Sequence, residues 1–362
     1  MKATSPIAAV RRASLTAVVF ALLALVVLAP AASAAKQKPR PLYWGAVIGK
    51  QLTGESAPFD MGAIDAFERK TRKGLSLLSF SSPFFDCIEL PCVPYHFPKA
   101  IAERLRLRGI IPFLSWASQS VPASLNQPDF TLANVAAGAH DAYIREFADQ
   151  ARDWNRPFFL RFDAEMNGFW FPWGESVNGN KPGDFVAAWR HVHNIFEQEG
   201  AYKATWVWCP NVDFTRSLTP LRGLYPGDEY VDWTCLDGFN WGNTRNSLGW
   251  QSFDEVFRST YKRVVKIAPN KPMVIGEIAS EERGGSKAAW IKNTFRTIPK
   301  KYKKVRAVIW FDEKDQGMKW PIESSKSATR AFAKAIGRPL YRPNVFSELP
   351  PGPVRPPGPG LK

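Results

Sequence analysis

Short apolar segments alternate with amphipathic segments along most of the chain. Eight apolar or β-branched runs have the length of buried strands, and they begin near Leu42, Leu75, Ile110, Phe158, Thr205, Leu236, Met273 and Val305. Between several of them, apolar residues recur with helical spacing, at 101–108, 142–154, 185–199, 253–267 and 288–298. Capping signals precede three of these helical segments, at Pro182-Gly183-Asp184, Ser252 and Ser286. Strands that alternate with helices predict a parallel sheet.

The number of strand–helix units predicts an α/β protein built as a single (β/α)8 TIM barrel over residues 35–345. The alternative is an open doubly wound sheet, which usually has a glycine-rich phosphate-binding turn after its first strand. Here residues 49–54 have the sequence GKQLTG, which matches neither nucleotide-binding fingerprint. A closed barrel places its catalytic residues at the carboxyl ends of the strands, so we expect the site there.

The N-terminal segment has the features of an export signal. Lys2, Arg11 and Arg12 precede an apolar run from Leu15 to Pro30, and Ala32-Ser33-Ala34 follows it. A basic start, a short apolar run and an A-x-A site predict a secretory signal peptide at residues 1–34. The run is shorter than the ~20 residues needed to span a bilayer, so no stable membrane anchor is expected. We therefore expect a secreted, extracellular protein.

The chain is strongly basic, with a formal net charge of +15, and three of the positive charges lie in residues 1–34. Lysine and arginine are scattered rather than clustered in a stripe, so no nucleic-acid partner is expected. No coiled-coil or exposed apolar repeat indicates self-association, so we expect a monomer. The Pro- and Gly-rich sequence at 346–362 cannot form a helix or a central strand, and predicts a disordered tail.

Four cysteines in an exported chain permit disulfide bonds. Cys87 and Cys92 could close a small ring, and Cys209 and Cys235 lie in predicted neighbouring strands. Four cysteines allow three pairings, and the sequence leaves the choice open. No Cys-x-x-Cys pair or His/Cys cluster indicates a metal site, so neither a metal nor another cofactor is expected.

Glu165 lies in the most informative segment of the chain, RFDAEMNGFWFPWG at 161–174. It follows an apolar strand and is followed by Asn, Gly and Trp residues. A carboxyl group in such an aromatic pocket loses hydration when it is charged, which raises its pKa and keeps it protonated near neutral pH. A general acid needs this property. The alternative is a structural carboxylate paired with Arg161.

Glu277 supplies the second carboxylate, at the end of the apolar segment MVIGEI, where an ion is unfavourable without a partner or a purpose. Strand ends four and seven of a barrel face each other across the mouth. Glycoside hydrolysis uses two carboxylates flanking the scissile bond, and a separation of about 5–5.5 Å gives a covalent glycosyl-enzyme and retained configuration. We predict that Glu165 is the general acid/base and Glu277 the nucleophile.

Aromatic and amide side chains are concentrated at the predicted strand ends, and the chain contains 14 tryptophans. Sugar rings stack on flat aromatic surfaces, while amide and charged groups bind the hydroxyls. The predicted substrate-binding residues are Arg161, Asn167, Trp170, Trp173, Trp116, Trp208, Asn211, Phe239, Trp241 and Trp310.

These segments resemble glycoside hydrolase family 26. RFDAEMNGFWFPWG is similar to the acid/base motif of that family and MVIGEIA to its nucleophile strand, while TWVWCPN, DWTCLDGFNWG and VRAVIWFDEK are similar to its fifth, sixth and eighth strands. The resemblance implies a (β/α)8 barrel, a retaining mechanism and no metal for the chemistry. It implies that Trp170 and Trp310 line the subsite of the cleaved sugar. Endo-β-mannanase is the commonest activity of the family, which also contains mixed-linkage β-glucanases and β-xylanases.

Two positions depart from the family pattern. Ala164 stands where the family usually has His, and Phe239 where it usually has a Tyr that hydrogen-bonds to the nucleophile. We expect a secreted retaining endo-β-glycanase that acts on β-1,4-mannan or a related plant polysaccharide, with mixed-linkage β-glucan or xylan as alternatives. A non-catalytic carbohydrate-binding protein is a further alternative, against which the retention of two carboxylates argues.

Overall fold

The computed structural model describes residues 40–213, 220–245 and 249–358. The predicted signal peptide at 1–34 lies outside these residues, as does the end of the chain from 359. Within the described ranges, no helix has the length and apolar character needed to cross a bilayer.

Eight strands form a closed parallel barrel. They are β1 (Leu42–Ile48), β2 (Leu77–Asp86), β3 (Ile111–Val121), β4 (Phe158–Phe162), β5 (Ala204–Trp208), β6 (Trp233–Asn240), β7 (Met273–Ser280) and β8 (Val305–Asp312). Each strand pairs in parallel with the next, and β1 pairs with both β2 and β8, which closes the barrel. The predicted (β/α)8 fold is therefore confirmed. Short strands at Val93–Pro94 and Tyr341–Arg342 extend the sheet beside β2 and β1.

In the described part of the chain, eight α-helices connect the strands. They are α1 (Met61–Thr71), α2 (Lys99–Leu107), α3 (Leu132–Ala136), α4 (Asp141–Trp154), α5 (Asp184–Gln198), α6 (Phe253–Ile267), α7 (Lys287–Lys301) and α8 (Lys326–Ile336). All five predicted helical segments are present, with small differences at their ends. Between β5 and β6 the described residues form two 3-10 helices, Leu221–Leu224 and Asp228–Tyr230.

The predicted caps act in two different ways. Ser252 and Glu255 form a reciprocal capping box at the start of α6, and Ser286 accepts a hydrogen bond from the backbone of Ala289 in α7. Gly183, at the start of α5, has no side chain to offer. Its N–H donates instead to Glu175 Oε1 over 2.8 Å, so a distant carboxylate binds the helix N-terminus.

A layer of aromatic side chains fills the space between the strands and the helices. Trp116 of β3 stacks on Phe147 of α4 with ring centroids 4.3 Å apart. Trp310 of β8 lies edge-on to Phe332 of α8, at 5.3 Å. Side chains alternate in direction along a strand, so residues adjacent to these tryptophans point into the barrel.

The amino-terminal end of the barrel is covered by the C-terminal segment. Val354 is buried, its carbonyl accepts a hydrogen bond from Trp233 Nε1 (2.8 Å), and its N–H donates to Thr205 Oγ1 (2.7 Å). The prediction of a disordered tail is therefore wrong for residues 346–358. A short 3-10 helix forms at Phe346–Glu348, and the Pro- and Gly-rich backbone that follows can still bind partners on the barrel without a long helix or a strand.

The structure pairs Cys87 with Cys92 and Cys209 with Cys235. The first disulfide closes the loop that follows β2. The second joins the end of β5 to the neighbouring strand β6, directly below the carboxylates described next. The sequence left three pairings open. The structure contains the one in which each cysteine is bonded to the next cysteine along the chain.

Candidate active site

Glu165 is carried by a tight turn at the end of β4. Asp163 and Glu165 have φ values of 41° and 59°, in the left-handed region that non-glycine residues seldom adopt. Neighbouring strands hold this conformation. Asp163 accepts hydrogen bonds from the backbone and side chain of Ser118 (2.7 and 2.6 Å), and the N–H of Glu165 donates to the carbonyl of Cys209 (2.7 Å). The turn directs the Glu165 side chain into the barrel mouth.

Two donors contact the Glu165 carboxylate. Trp170 Nε1 donates to Oε2 and Asn211 Nδ2 donates to Oε1, each over 2.6 Å. Burial, followed by the negative charge of Glu277, raises the pKa of Glu165 to about 7, although these two hydrogen bonds oppose the shift. The group is therefore able to hold a proton near neutral pH, as predicted for a general acid.

Arg161 holds Glu277 in place from below. Its guanidinium donates to Glu277 Oε1 (2.6 Å), to Asp237 Oδ2 (2.7 Å) and to Ser115 Oγ (2.8 Å), and thus joins β3, β4, β6 and β7. Asp237 is completely buried, and burial raises the pKa of its carboxyl group well above the usual range while Arg161 opposes the shift. These bonds fix the orientation of the Glu277 carboxylate towards the mouth.

The two predicted catalytic carboxylates lie together. An oxygen atom of each of Glu165, Asp237 and Glu277 lies within 4.8 Å of the others. This spacing agrees with the short separation of a retaining glycosidase rather than the longer one of an inverting enzyme. Three carboxylates could also hold a cation, but the Arg161 guanidinium already supplies positive charge to two of them.

A cluster of aromatic rings lines the mouth beside Glu277. Phe239 at the end of β6 contacts Phe311 of β8 (ring centroids 5.5 Å) and Trp320 in the loop after β8 (5.1 Å). Trp241 lies 4.9 Å from Trp320. The guanidinium of Arg245 stacks over Trp241, with Cζ 3.4 Å from the ring centroid. Phe239 and Trp241, both predicted substrate contacts, are partly exposed here.

Several other predicted substrate contacts prove to be core residues. Trp116, Trp208 and Trp310 are each at most 1% exposed and point outward to the helices, so the prediction that they bind substrate is wrong. Trp173 is also buried, with its indole N–H donating to the carbonyl of Ala164 (2.7 Å) and its ring stacked on Phe171. Each of the four is excluded for the same reason, because no ring face is accessible from the mouth.

Arg161 and Asn167 are buried as well, and their polar groups serve the protein itself. Asn167 and Asn211 exchange two hydrogen bonds, with the Asn167 side chain bonded to the backbone of Asn211 (2.9 and 3.0 Å). Asn167 therefore positions Asn211, and Arg161 positions Glu277. The prediction that these two residues contact the substrate directly is wrong. The predicted contacts that remain at the mouth are Trp170, Asn211, Phe239 and Trp241.

Sequence reasoning missed Asp237 and Trp320. Asp237 is the one acidic residue in the apolar strand β6, which is the same signal that identified Glu277 in β7. The sequence therefore contained the information needed to identify Asp237, because a lone acid in a buried strand implies a partner such as Arg161. Trp320 lies in an irregular loop, 79 positions along the chain from Trp241, and no local pattern indicated its contact with the mouth.

The chain is similar in sequence to known glycoside hydrolases. The profile described as glycosyl hydrolase family 26 matches residues 112–312. Endoglucanase H of Acetivibrio thermocellus is 40% identical over 212 residues, which are 58% of this chain and 23% of that protein. Mannan endo-1,4-beta-mannosidase of Bacillus subtilis is 25% identical over 185 residues, which are 49% of this chain and 43% of that protein. The chain therefore spans less than half the length of these curated relatives.

Solved structures show the same fold. The catalytic domain of the Bacillus sp. JAMB-750 GH26 endo-beta-1,4-mannanase superposes with a TM-score of 0.65 and 15% sequence identity. The superposition covers 87% of this chain and 92% of that domain. At this identity the similarity supports the barrel and its closure.

Proposed function

Since the chain belongs to glycosyl hydrolase family 26, we propose that it is a retaining endo-β-glycanase with Glu165 as acid/base and Glu277 as nucleophile. The observation that carries the proposal is the contrast between the environments of these two neighbouring carboxylates. One carboxylate has a pKa raised to about 7, and the other is bound to a guanidinium within 4.8 Å of it. These two environments suit a proton donor and an ionised nucleophile, respectively.

In the first step, Glu277 attacks the anomeric carbon from the side opposite the leaving sugar. The bond between that carbon and the glycosidic oxygen breaks, and Glu165 transfers its proton to this oxygen. A glycosyl ester of Glu277 forms, and Glu165 is left as a carboxylate. In the second step, Glu165 removes a proton from water as the water oxygen attacks the anomeric carbon. The ester bond between that carbon and the Glu277 oxygen breaks, so the sugar is released, Glu277 is again a carboxylate and Glu165 is again protonated.

The electrostatics of the pair support this change of role. Part of the rise in the pKa of Glu165 comes from the negative charge of Glu277. That charge disappears when Glu277 becomes an ester, so the pKa of Glu165 falls and the residue becomes able to act as a base in the second step. Trp170 and Asn211 stabilise its carboxylate form at that stage.

Arg161 compensates for one of the two departures from the family pattern. Phe239 has no hydroxyl group for Glu277, but Arg161 contributes a charge-assisted hydrogen bond to Oε1. Ala164 offers no side-chain hydrogen bond to the sugar, so contact with the reactive unit depends on the other residues of the mouth. Orientation of the nucleophile is therefore compatible with the replacement at Phe239.

For the substrate we propose a β-glucan first and a β-1,4-mannan second. The relative with 40% identity is named an endoglucanase, whereas the relative named a mannan endo-1,4-beta-mannosidase is 25% identical. The region of 40% identity extends over 212 residues, which are 58% of this chain. Mannan remains the second candidate because of that other relative and because of the family resemblance.

We also propose that the protein is exported, on the basis of the basic, apolar and A-x-A segments at 1–34. Expression of the full chain in a bacterial host with an export pathway, followed by N-terminal sequencing of the secreted protein, tests this. A mature N-terminus at Ala35 is expected. Retention in the cell with an intact N-terminus would contradict export.

The function is tested by reducing-sugar release from barley β-glucan, lichenan, glucomannan, mannan and xylan. Glu165→Gln and Glu277→Gln are the matched controls, because each replaces a carboxylate by an amide of the same shape. Hydrolysis of at least one polymer by the wild type, lost in both variants, is expected. A folded wild-type protein that hydrolyses none of them but is retained by a polysaccharide gel would instead identify a carbohydrate-binding protein.

A further inference from the structure

A further carboxylate, Glu313, lies at the barrel mouth directly after β8. Asp312 precedes it and is completely buried, with Oδ1 accepting a hydrogen bond from the N–H of Ile322 (2.7 Å). Phe311, two residues earlier, faces Phe239 across the mouth with ring centroids 5.5 Å apart, and Glu313 follows at the carboxyl end of the same strand. β8 is four strands from β4 in the closed barrel, so Glu313 is opposite the strand that carries Glu165.

The end of β1 packs closely against Glu313. A Cβ atom at Gly49 would lie 2.7 Å from Glu313 Cγ, so a side chain at this position would displace the carboxylate. Glu313 is partly buried, and burial, the charge of Asp315 and the charge of Glu277 raise its pKa, while Lys50 opposes the shift. Glu313 is thus close enough to the nucleophile for the two charges to interact.

The Glu313 carboxylate forms no hydrogen bond or ion pair within residues 40–213, 220–245 and 249–358. A partly buried carboxylate without a protein partner retains its full capacity to accept hydrogen bonds. At the mouth of a site that binds sugars, the available donors are water and sugar hydroxyls. Glu313 differs in this respect from Asp237 and Glu165, whose oxygen atoms already have protein partners.

We propose that Glu313 binds substrate, its carboxylate accepting hydrogen bonds from hydroxyl groups of the sugar unit held beside Glu277. The inference rests on the proposed glycanase function and extends it by naming a binding residue on the nucleophile side of the mouth. The carboxylates of Glu277 and Glu313 would repel the carboxylate of a uronic acid, so the sugar unit bound here is neutral.

The inference is tested with Glu313→Ala, Glu313→Gln and the control Asp315→Asn, on the polymer that the wild type hydrolyses best. Hydrogen bonds to charged groups are strong enough that Glu313→Ala is expected to lower kcat/KM by roughly tenfold to a hundredfold, mainly through KM. Glu313→Gln keeps an acceptor oxygen and is expected to retain more activity than Glu313→Ala. Asp315→Asn removes a nearby charge without removing the contact and is expected to resemble the wild type.

Binding is measured separately from turnover by retardation in polysaccharide-containing native gels, with Glu277→Gln as the reference and Glu277→Gln/Glu313→Ala as the test. Weaker retardation of the double variant supports the inference. Equal retardation with unchanged KM in Glu313→Ala overturns the inference, even when the hydrolysis itself is confirmed. An equal loss in Asp315→Asn also overturns it, because charge rather than contact would then be responsible. Absence of hydrolysis by the wild type would reject the glycanase function, while the gel comparison still tests Glu313.

Discussion

Replacing Trp170 by Phe is expected to move the alkaline limb of the pH–activity profile to higher pH. The substitution keeps an aromatic ring in the loop but removes the indole N–H that donates to Glu165 Oε2 over 2.6 Å. That hydrogen bond stabilises the carboxylate form of Glu165 and opposes the rise in its pKa. Without it, the proton is held more tightly, so the general acid stays active to a higher pH.

The size of the shift follows from the strength of the bond. A hydrogen bond to a charged group contributes about 1.5–3 kcal/mol, and one pKa unit corresponds to about 1.4 kcal/mol. Glu165 is partly accessible to water at the mouth, and water replaces some of the lost interaction, so we take the lower end of this range. The pKa of Glu165 is about 7 in the wild type, and a rise of about one unit is expected.

The assay is kcat/KM as a function of pH on the best polymer, because its alkaline limb reports the acid of the free enzyme. Trp173→Phe is the matched control, since it removes an indole N–H of the same loop that donates to the Ala164 carbonyl and not to Glu165. Its alkaline limb is expected to coincide with that of the wild type. An unchanged or lower alkaline pKa in Trp170→Phe would refute the assignment of Glu165 as the titrating acid.

Three further outcomes concern stability. Arg161→Met leaves the buried carboxylates of Asp237 and Glu277 without their cation, and is expected to lower the free energy of unfolding by about 3–5 kcal/mol in urea titrations. Asp163 has a folded-state pKa raised from 3.8 to about 7 by burial, so its contribution to stability is lost as pH rises between these values; Asp163→Asn is expected to reduce this pH dependence of unfolding. Deletion of 350–362 removes both buried hydrogen bonds of Val354 and is expected to destabilise the barrel by about 3 kcal/mol, measured in the same way.

Each of these changes has a matched control. Arg152→Met removes an exposed arginine with surface ion pairs, and little change in stability is expected. Asp153→Asn removes an exposed carboxylate, and the pH dependence should remain that of the wild type. Deletion of 359–362 alone leaves the contacts of Val354 intact. If any control equalled its test variant, the effect could not be attributed to the buried contact.

The strands, the helices and the two principal carboxylates were predictable from the sequence. Strand and helix periodicity are properties of neighbouring residues, so the eight apolar runs and the helical segments could be identified without any long-range contact. Glu165 and Glu277 stood out because a single acid at the end of an apolar strand is unfavourable unless it has a function or a partner. The family motifs around both residues supported the same assignment.

The direction of a side chain at a strand end was decided only by the folded barrel. Trp116, Trp208 and Trp310 were expected at strand ends as substrate contacts, yet all three are buried and point to the helices. Side chains alternate with a period of two, so a difference of one residue in register moves a ring from the mouth to the core. The register is set by pairing with neighbouring strands, and it contains irregularities in β7 that no local pattern indicates.

The partners of buried polar groups likewise depended on the tertiary structure. Arg161 is bound to carboxylates 76 and 116 positions away along the chain, and Val354 to a hydroxyl group 149 positions away. The sequence by itself determined which residues are too polar to be buried alone and which segments cannot form regular structure. Which charge neutralises which, and what covers the end of the barrel, was decided by closure of the sheet, because only closure brings these distant groups within hydrogen-bonding distance.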